Sequence, residues 1–209
     1  MSLVEVKYEV DDSEVREDIA EFIEEAESRA ADYFRSRNEV NAFVPSDLMT
    51  CYRALAAIMD LDLAAGNSFC EWGSGFGGVT CVASMLGFEA HGIEIENVLI
   101  DEAYALSDEF ELDVEWVQGN YIPANAEMEL GDRFATDVTW MASDSGDAYD
   151  ELGVDLDEFD VIFVFPWPFE EPIVERLFDH YAATGALLVT YSQIDGVRIR
   201  RKSHQRPKR

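Results

Sequence analysis

Lysine, histidine and cysteine each occur only three times in 209 residues, and these scarcities narrow the chemistry before any motif is read. Cys51, Cys70 and Cys81 are odd in number and too far apart for a CxxC pair, with few histidines to assist them. Neither a disulfide framework nor a zinc site is predicted, no metal is expected, and the three thiols read as small core residues. No apolar run approaches the roughly 18 residues that would span a bilayer, and the acidic first twenty residues carry no signal-peptide pattern. This predicts a soluble, cytoplasmic protein with no membrane partner. Positive charge is scarce and unevenly placed: eight Lys and Arg precede residue 198 together with all 44 Asp and Glu, while the last twelve residues, RIRRKSHQRPKR, hold the other seven cations. Such a body repels nucleic acid phosphates and attracts cationic partners. A surface adapted to a salty environment is the second reading, and twelve arginines against three lysines accord with it. Nothing in the sequence sets an oligomeric state.

What is abundant is core material, 48% hydrophobic residues with 13 Phe, enough for one domain with a sizeable core. LVEVKYEV alternates, so Val4, Val6, Tyr8 and Val10 share a face of a short strand or extended arm. From Asp12 to Arg37, Val15, Ile19, Phe22, Ile23, Ala26, Ala30, Tyr33 and Phe34 recur at helical spacing and predict an amphipathic helix that needs something to cover. Residues 1–40 therefore form an N-terminal arm and helix. A second helix is expected after Pro45, with Ser46 as its N-cap. Strand-like SFCEW, AHGIEI, DVEWVQ, DVIFVF and ALLVTYS then alternate with helical stretches. That pattern predicts an α/β fold: a Rossmann-like, mostly parallel sheet with helices on both faces and a ligand at the C-terminal strand ends. Between Asn120 and Glu158 an acidic stretch without clear periodicity, apart from a short helix near Trp140, reads as a lid or loop insertion. After ALLVTYS about 18 residues remain, so the closing strands are expected to be short or missing. Residues 41–197 form the expected cofactor-binding domain and 198–209 a basic C-terminal tail, whose Val197 and Ile199 alternate with arginines as a closing strand would.

The most informative stretch is FCEWGSGFGG. Gly73, Gly75 and Gly78 satisfy the G-x-G-x-x-G dinucleotide pattern, while Glu71, Gly73, Gly75 and Gly77 satisfy acid-x-G-x-G-x-G. Either way, bare backbone at a strand-to-helix turn lets a ligand approach closely. Glu71 favours the second pattern, since a carboxylate there repels a pyrophosphate but suits a network around an ammonium group. The implied cofactor bears an amino acid. A nicotinamide enzyme is disfavoured by Glu71 and by the lack of a second half-sheet. Glu94, ending the next strand, is positioned to accept hydrogen bonds from ribose hydroxyls, and Asn120, after QG, to meet an adenine edge.

EWGSGFGG followed by GIEIE and QGN resembles the class I, seven-strand S-adenosylmethionine-dependent methyltransferases over about residues 41–190. Phe43, Val44, Pro45 and Ser46 match a pre-motif of the small protein lysine methyltransferases of that class, which the chain resembles most. The resemblance implies S-adenosylmethionine as cofactor. Glu71 with Gly73, Ser74, Gly75 and Gly77 would hold its methionine part, Glu94 its ribose and Asn120 its adenine, with Pro45 and Ser46 bordering it. It implies a methyl acceptor that is a protein lysine or basic protein. A small-molecule methyltransferase and a non-catalytic S-adenosylmethionine-binding protein remain the alternatives. The sequence departs from the wider class after the fourth parallel strand, where Phe165, Pro166, Trp167, Pro168 and Phe169 replace the Asp or Asn followed by Pro-Pro-aromatic of enzymes that methylate amino groups. Phe165, Pro166 and Trp167 are assigned to the acceptor pocket; a strand break that packs a lid is the competing account. Carboxylates such as Glu170 or Glu171 can recruit a cationic acceptor, and no side chain stands out as a general base.

Overall fold

The structure is a computed structural model that describes residues 2–10, 15–36, 43–131 and 147–204. The described residues build one seven-stranded sheet in the order β1-β7-β6-β5-β2-β3-β4. The strands are β1 (Ser2–Glu5), β2 (Ser68–Trp72), β3 (Glu89–Glu94), β4 (Val114–Gln118), β5 (Val161–Val164), β6 (Leu187–Ser192) and β7 (Gly196–Ser203). From β6 to β4 all neighbours run parallel, and β7 and β1 close the other edge in antiparallel pairs.

Period-two alternation sorts the strand residues onto two cores. Phe69, Phe163, Leu187 and Val189 face a core completed by α1 (Glu17–Ser36), α2 (Leu48–Asp60), α3 (Gly78–Met85) and α4 (Asn97–Glu109). Their strand neighbours Cys70, Trp72, Ile162, Val164 and Leu188 face a second core, with α5 (Ala126–Leu130), α6 (Ala148–Leu152) and α7 (Glu171–Tyr181). Both sheet faces are thus covered, and all three cysteines are free and buried. The apolar stripe of α1 packs on α3, burying Ile19, Phe22, Ile23 and Ala26 in the first core. Farther along, Tyr33 meets Phe76 of the glycine turn edge to face at 4.8 Å.

Three local expectations differ from what is observed. The N-cap of α2 is Asp47, whose carboxylate accepts from Thr50 N at 2.9 Å, one residue after the expected Ser46. A carboxylate at this position also favours the positive end of the helix. A single strand follows β6, in keeping with the short remainder, but it is eight residues long, and β1 from the N-terminus takes the place beside it. Arg198, Arg200, Arg201 and Lys202, expected at the start of a basic tail, belong to this strand and are used internally. Arg198 pairs with Glu5 and Glu171, Arg200 pairs with Glu171 and Glu175, Arg201 Nη2 donates to Leu63 O at 2.6 Å, and the Lys202 ammonium donates to Ala182 O. The helix expected near Trp140 lies outside the described residues.

Candidate functional site

The glycine turn follows from what each missing side chain leaves room for. Gly73, Gly75 and Gly77 all adopt positive φ, at 72°, 56° and 74°, so the chain reverses between β2 and α3 at little steric cost. A Cβ on Gly73 would meet nothing within 4 Å, whereas one on Gly75 would lie 2.5 Å from the Phe43 ring. Gly77 is different in kind. It is absent from the cavity wall, and a Cβ there would lie 2.2 Å from Trp116. Grouped with the cofactor-binding glycines on sequence grounds, it serves the turn and the packing of Trp116.

Gly77 is also the N-cap of α3 and has no side chain to cap with. Glu71, from the preceding strand, caps in its place: its Oε2 accepts from Thr80 N at 2.9 Å and Thr80 Oγ1 at 2.5 Å. The carboxyl is 4% exposed. Burial pushes its pKa up to about 8, opposed by the two Thr80 hydrogen bonds and reinforced by the charge of Glu94. Glu94, at the end of β3, is clamped by backbone. Its Oε2 accepts from Gly75 N at 2.7 Å, and its Oε1 accepts from Ile95 N at 2.8 Å and Glu96 N at 2.9 Å. Burial raises its pKa against those three donors. A carboxylate has about four acceptor sites, so one remains for a ligand, where the sequence suggested two ribose hydroxyls.

These groups line one cavity of about 830 Å³ at the C-terminal ends of the parallel strands, within the range of about 300–1,000 Å³ usual for small-ligand sites. Of the residues singled out from the sequence, Pro45, Ser46, Glu71, Gly73, Ser74, Gly75, Glu94, Asn120, Phe165, Pro166 and Trp167 all reach its wall. Asn120 spends its Oδ1 on Ile122 N at 2.9 Å, holding the turn after β4. Ser74 is 5% exposed, and its hydroxyl has no partner among the described residues. Phe165 packs edge to face on Tyr191 at 4.8 Å, so its ring is partly a core element.

Sequence reasoning missed several wall residues. Glu27 and Ala30 come from α1, Tyr121 from the turn after β4, and Ile194 from the β6–β7 turn. The periodicity of α1 signalled a buried face but not what that face would meet. Glu170 was named from the sequence as a carboxylate that can recruit a cationic acceptor, but its burial was not foreseen: two residues beyond Pro168 in a polar-looking loop, it is 5% exposed and its Oε2 accepts from Trp167 N at 2.8 Å. Around the mouth Phe169 is 91% exposed at φ 79° and Ile194 is 92% exposed, with Trp167 beside them in the same wall. A bulky residue held at positive φ and turned to solvent is strained backbone that packing does not explain. The cavity wall includes six glutamates, Glu27, Glu71, Glu94, Glu96, Glu170 and Glu171, and no Lys, Arg or His among the described residues.

A mostly parallel sheet with an antiparallel closing strand, a glycine turn after its central strand and an acid ending the next decides the fold. It is that of the class I methyltransferases. No family profile and no curated protein matches the chain, but solved structures of this class do. An RNA methyltransferase from Salinibacter ruber in complex with S-adenosyl-L-homocysteine superposes with TM-score 0.53 at 16% identity, over 79% of this chain and 98% of that one. A methyltransferase from Geobacter sulfurreducens gives TM-score 0.53 at 13% identity, over 91% of this chain and 92% of that one. The O-methyltransferase TomG from Streptomyces achromogenes, in complex with S-adenosylmethionine, gives 0.50 at 16% identity over 85% and 66%. At such identities the methyltransferase likeness is one of fold. No helix among the described residues is long and apolar enough to cross a membrane.

Proposed function

We propose that this chain is an S-adenosylmethionine-dependent methyltransferase whose acceptor is a lysine of a basic protein. The observation that carries the reading is Glu94, fixed by three backbone N–H groups at a strand end against the glycine turn, with acceptor capacity left toward the cavity. The residues present suit the cofactor. It is cationic, and the wall is acidic; Gly73 leaves open space where the chain must be approached closely, and the Ser74 hydroxyl is left for a polar ligand. Glu71, Gly73, Ser74 and Gly75 would hold the methionine part, Glu94 the ribose and Asn120 the adenine, with Pro45 and Ser46 bordering it. When bound, S-adenosylmethionine supplies an electrophilic methyl group on a sulfonium. The chain's own work is to orient the reactants and exclude water, effects capable of about 7–11 kcal/mol.

Phe165, Pro166 and Trp167 would wall the acceptor side. A described wall with six glutamates, Glu171 among them paired with Arg198 and Arg200, and with no Lys, Arg or His favours a cationic acceptor over a phosphate-bearing one. The exposed Phe169 and Ile194 at the mouth offer apolar contact of the sort a macromolecular surface uses. Calorimetry with S-adenosylmethionine, S-adenosylhomocysteine and NAD in parallel tests the assignment. The two sulfur compounds are expected to bind at micromolar concentration and NAD not to bind. Glu94→Ala is expected to weaken S-adenosylhomocysteine by about 1.5–3 kcal/mol, the cost of a lost hydrogen bond to a charged group. NAD binding alone, or unchanged affinity in the variant, would refute it.

A further inference from the structure

Glu170 is a buried carboxylate in a cavity whose described lining holds no Lys, Arg or His. The wall it belongs to continues from Phe165 through Trp167, on the side of β5, away from the Glu94 clamp at the end of β3. Its Oε2 is held by Trp167 N, and its Oε1 takes no hydrogen bond from the described residues. Tyr121 lines the same cavity, stacked on Trp72 at 5.1 Å with the rings 5° from parallel. The Tyr121 phenol oxygen is shielded from solvent and has no partner among the described residues. Burial and the nearby Glu170 charge both raise the phenol's pKa, and burial raises that of Glu170. A buried carboxylate that no protein cation neutralises is costly unless a ligand supplies the charge. The fold retains this one directly after a turn that puts Phe169 at positive φ.

We propose that Glu170, with the Tyr121 phenol in the same cavity wall, receives an amine acceptor in its ammonium form and takes the proton that the nitrogen must shed. This rests on the methyltransferase reading above and deepens it by naming the group that meets the acceptor's nitrogen and takes its proton. The step balances without a co-reactant: the proton passes from the ammonium to the carboxylate, leaving a neutral acid and an amine with a free lone pair. A carboxylate in low-dielectric surroundings is a stronger base than a solvated one, which makes the transfer less unfavourable. Phe165 cannot accept a hydrogen bond through its side chain, so the role expected after the fourth parallel strand shifts to Glu170, five residues on.

The test compares two ligands that share the adenosine and amino-acid ends. S-adenosylhomocysteine carries nothing at the methyl position, whereas sinefungin carries a protonated amine there. Calorimetry on the full chain is expected to show sinefungin binding more tightly. In Glu170→Gln, which keeps an oxygen for Trp167 N, sinefungin is expected to weaken at least tenfold while S-adenosylhomocysteine changes less than twofold. Tyr121→Phe is expected to give a smaller selective loss, about threefold. A merely structural role for Glu170 would weaken both ligands together, and that result, or an unchanged sinefungin affinity, overturns the proposal. If Glu170→Gln does not fold, Tyr121→Phe decides: no selective loss there overturns it as well. Wild-type protein that binds neither ligand would refute the methyltransferase reading itself, and so is distinguishable from failure at Glu170 alone.

Discussion

Glu71 shows how one side chain serves folding and function in opposed ways. It caps α3 where Gly77 cannot, yet it does so fully out of water, and its pKa rises to about 8. Unfolded, a glutamate titrates near about 4.3. Below that value it is protonated in both states and adds no penalty. Between there and pH 8 the folded protein holds a proton that the unfolded chain has lost, so stability falls as pH rises through this window. The full effect is on the order of 5 kcal/mol, at about 1.36 kcal/mol for each pH unit between the two values. Glu71→Gln keeps an acceptor for Thr80 and cannot ionise. At pH 8 it is expected to unfold at a higher temperature than wild type, with the difference vanishing near pH 4, and to bind S-adenosylmethionine more weakly. Calorimetric unfolding at several pH values checks this, and a pH-independent difference would contradict it. The reading of Glu71 as an ammonium partner needed only its position in the motif. That it also caps a helix depended on Thr80, nine residues on, being turned back toward it.

At the scale of an element, the glycine turn separates ligand-facing backbone from packing-facing backbone. Both substitutions at Gly73 and Gly75 strain a left-handed residue, costing about 1–2 kcal/mol, but only the one at Gly75 also drives into Phe43. Gly73→Ala is therefore expected to fold, with a modest loss of stability, and to lose at least tenfold in affinity for S-adenosylhomocysteine. Gly75→Ala is expected to lose markedly more stability as well. Thermal unfolding alongside calorimetry distinguishes them; equal stability losses would mean that Phe43 does not pack there. The helix α7 shows a related division. Glu170 stands at its N-cap position but reaches back to Trp167 N, while Arg200 on β7 pairs with Glu171 and Glu175 of the helix. The strand order makes those pairs: the start of the basic stretch becomes a strand held between β1 and β6, with Arg198 and Arg200 tied to an acidic helix.

Over the whole molecule 44 acids against 15 bases leave a formal charge of −29. Self-repulsion of that size destabilises the compact state and is relieved by salt, while attraction for a cationic substrate is weakened by it. Raising ionic strength from 0.01 M to 1 M shortens the Debye length from about 30 Å to about 3 Å. The unfolding midpoint is expected to rise across this range, while methylation of a lysine-rich peptide falls. Activity that instead climbs with stability up to molar salt would show that the acidic surface serves a salty environment and does not steer the substrate. The tenfold selectivity expected of Glu170 is independent of that outcome, because it compares two ligands at one ionic strength.

What the sequence by itself determined is whatever rests on local pattern. Period-two strands alternating with helical stretches, together with an acid-glycine turn and an acid at the next strand end, were enough for the fold class and for placing Glu71, Gly73 and Glu94 at the strand ends and the turn. Backbone geometry dictates those features over spans of a few residues. Only the tertiary structure decided which glycine faces a cavity, because that turns on Phe43 and Trp116, both distant in the chain. It likewise decided that residues 198–203 close the sheet against β1, since a strand's partner is set by long-range pairing and not by its own alternation. The burial of Glu170 was hidden for the same reason. A carboxylate in a loop reads as solvated until the β5–α7 turn is seen to fold it inward, and burial is a property of neighbours contributed by the whole fold.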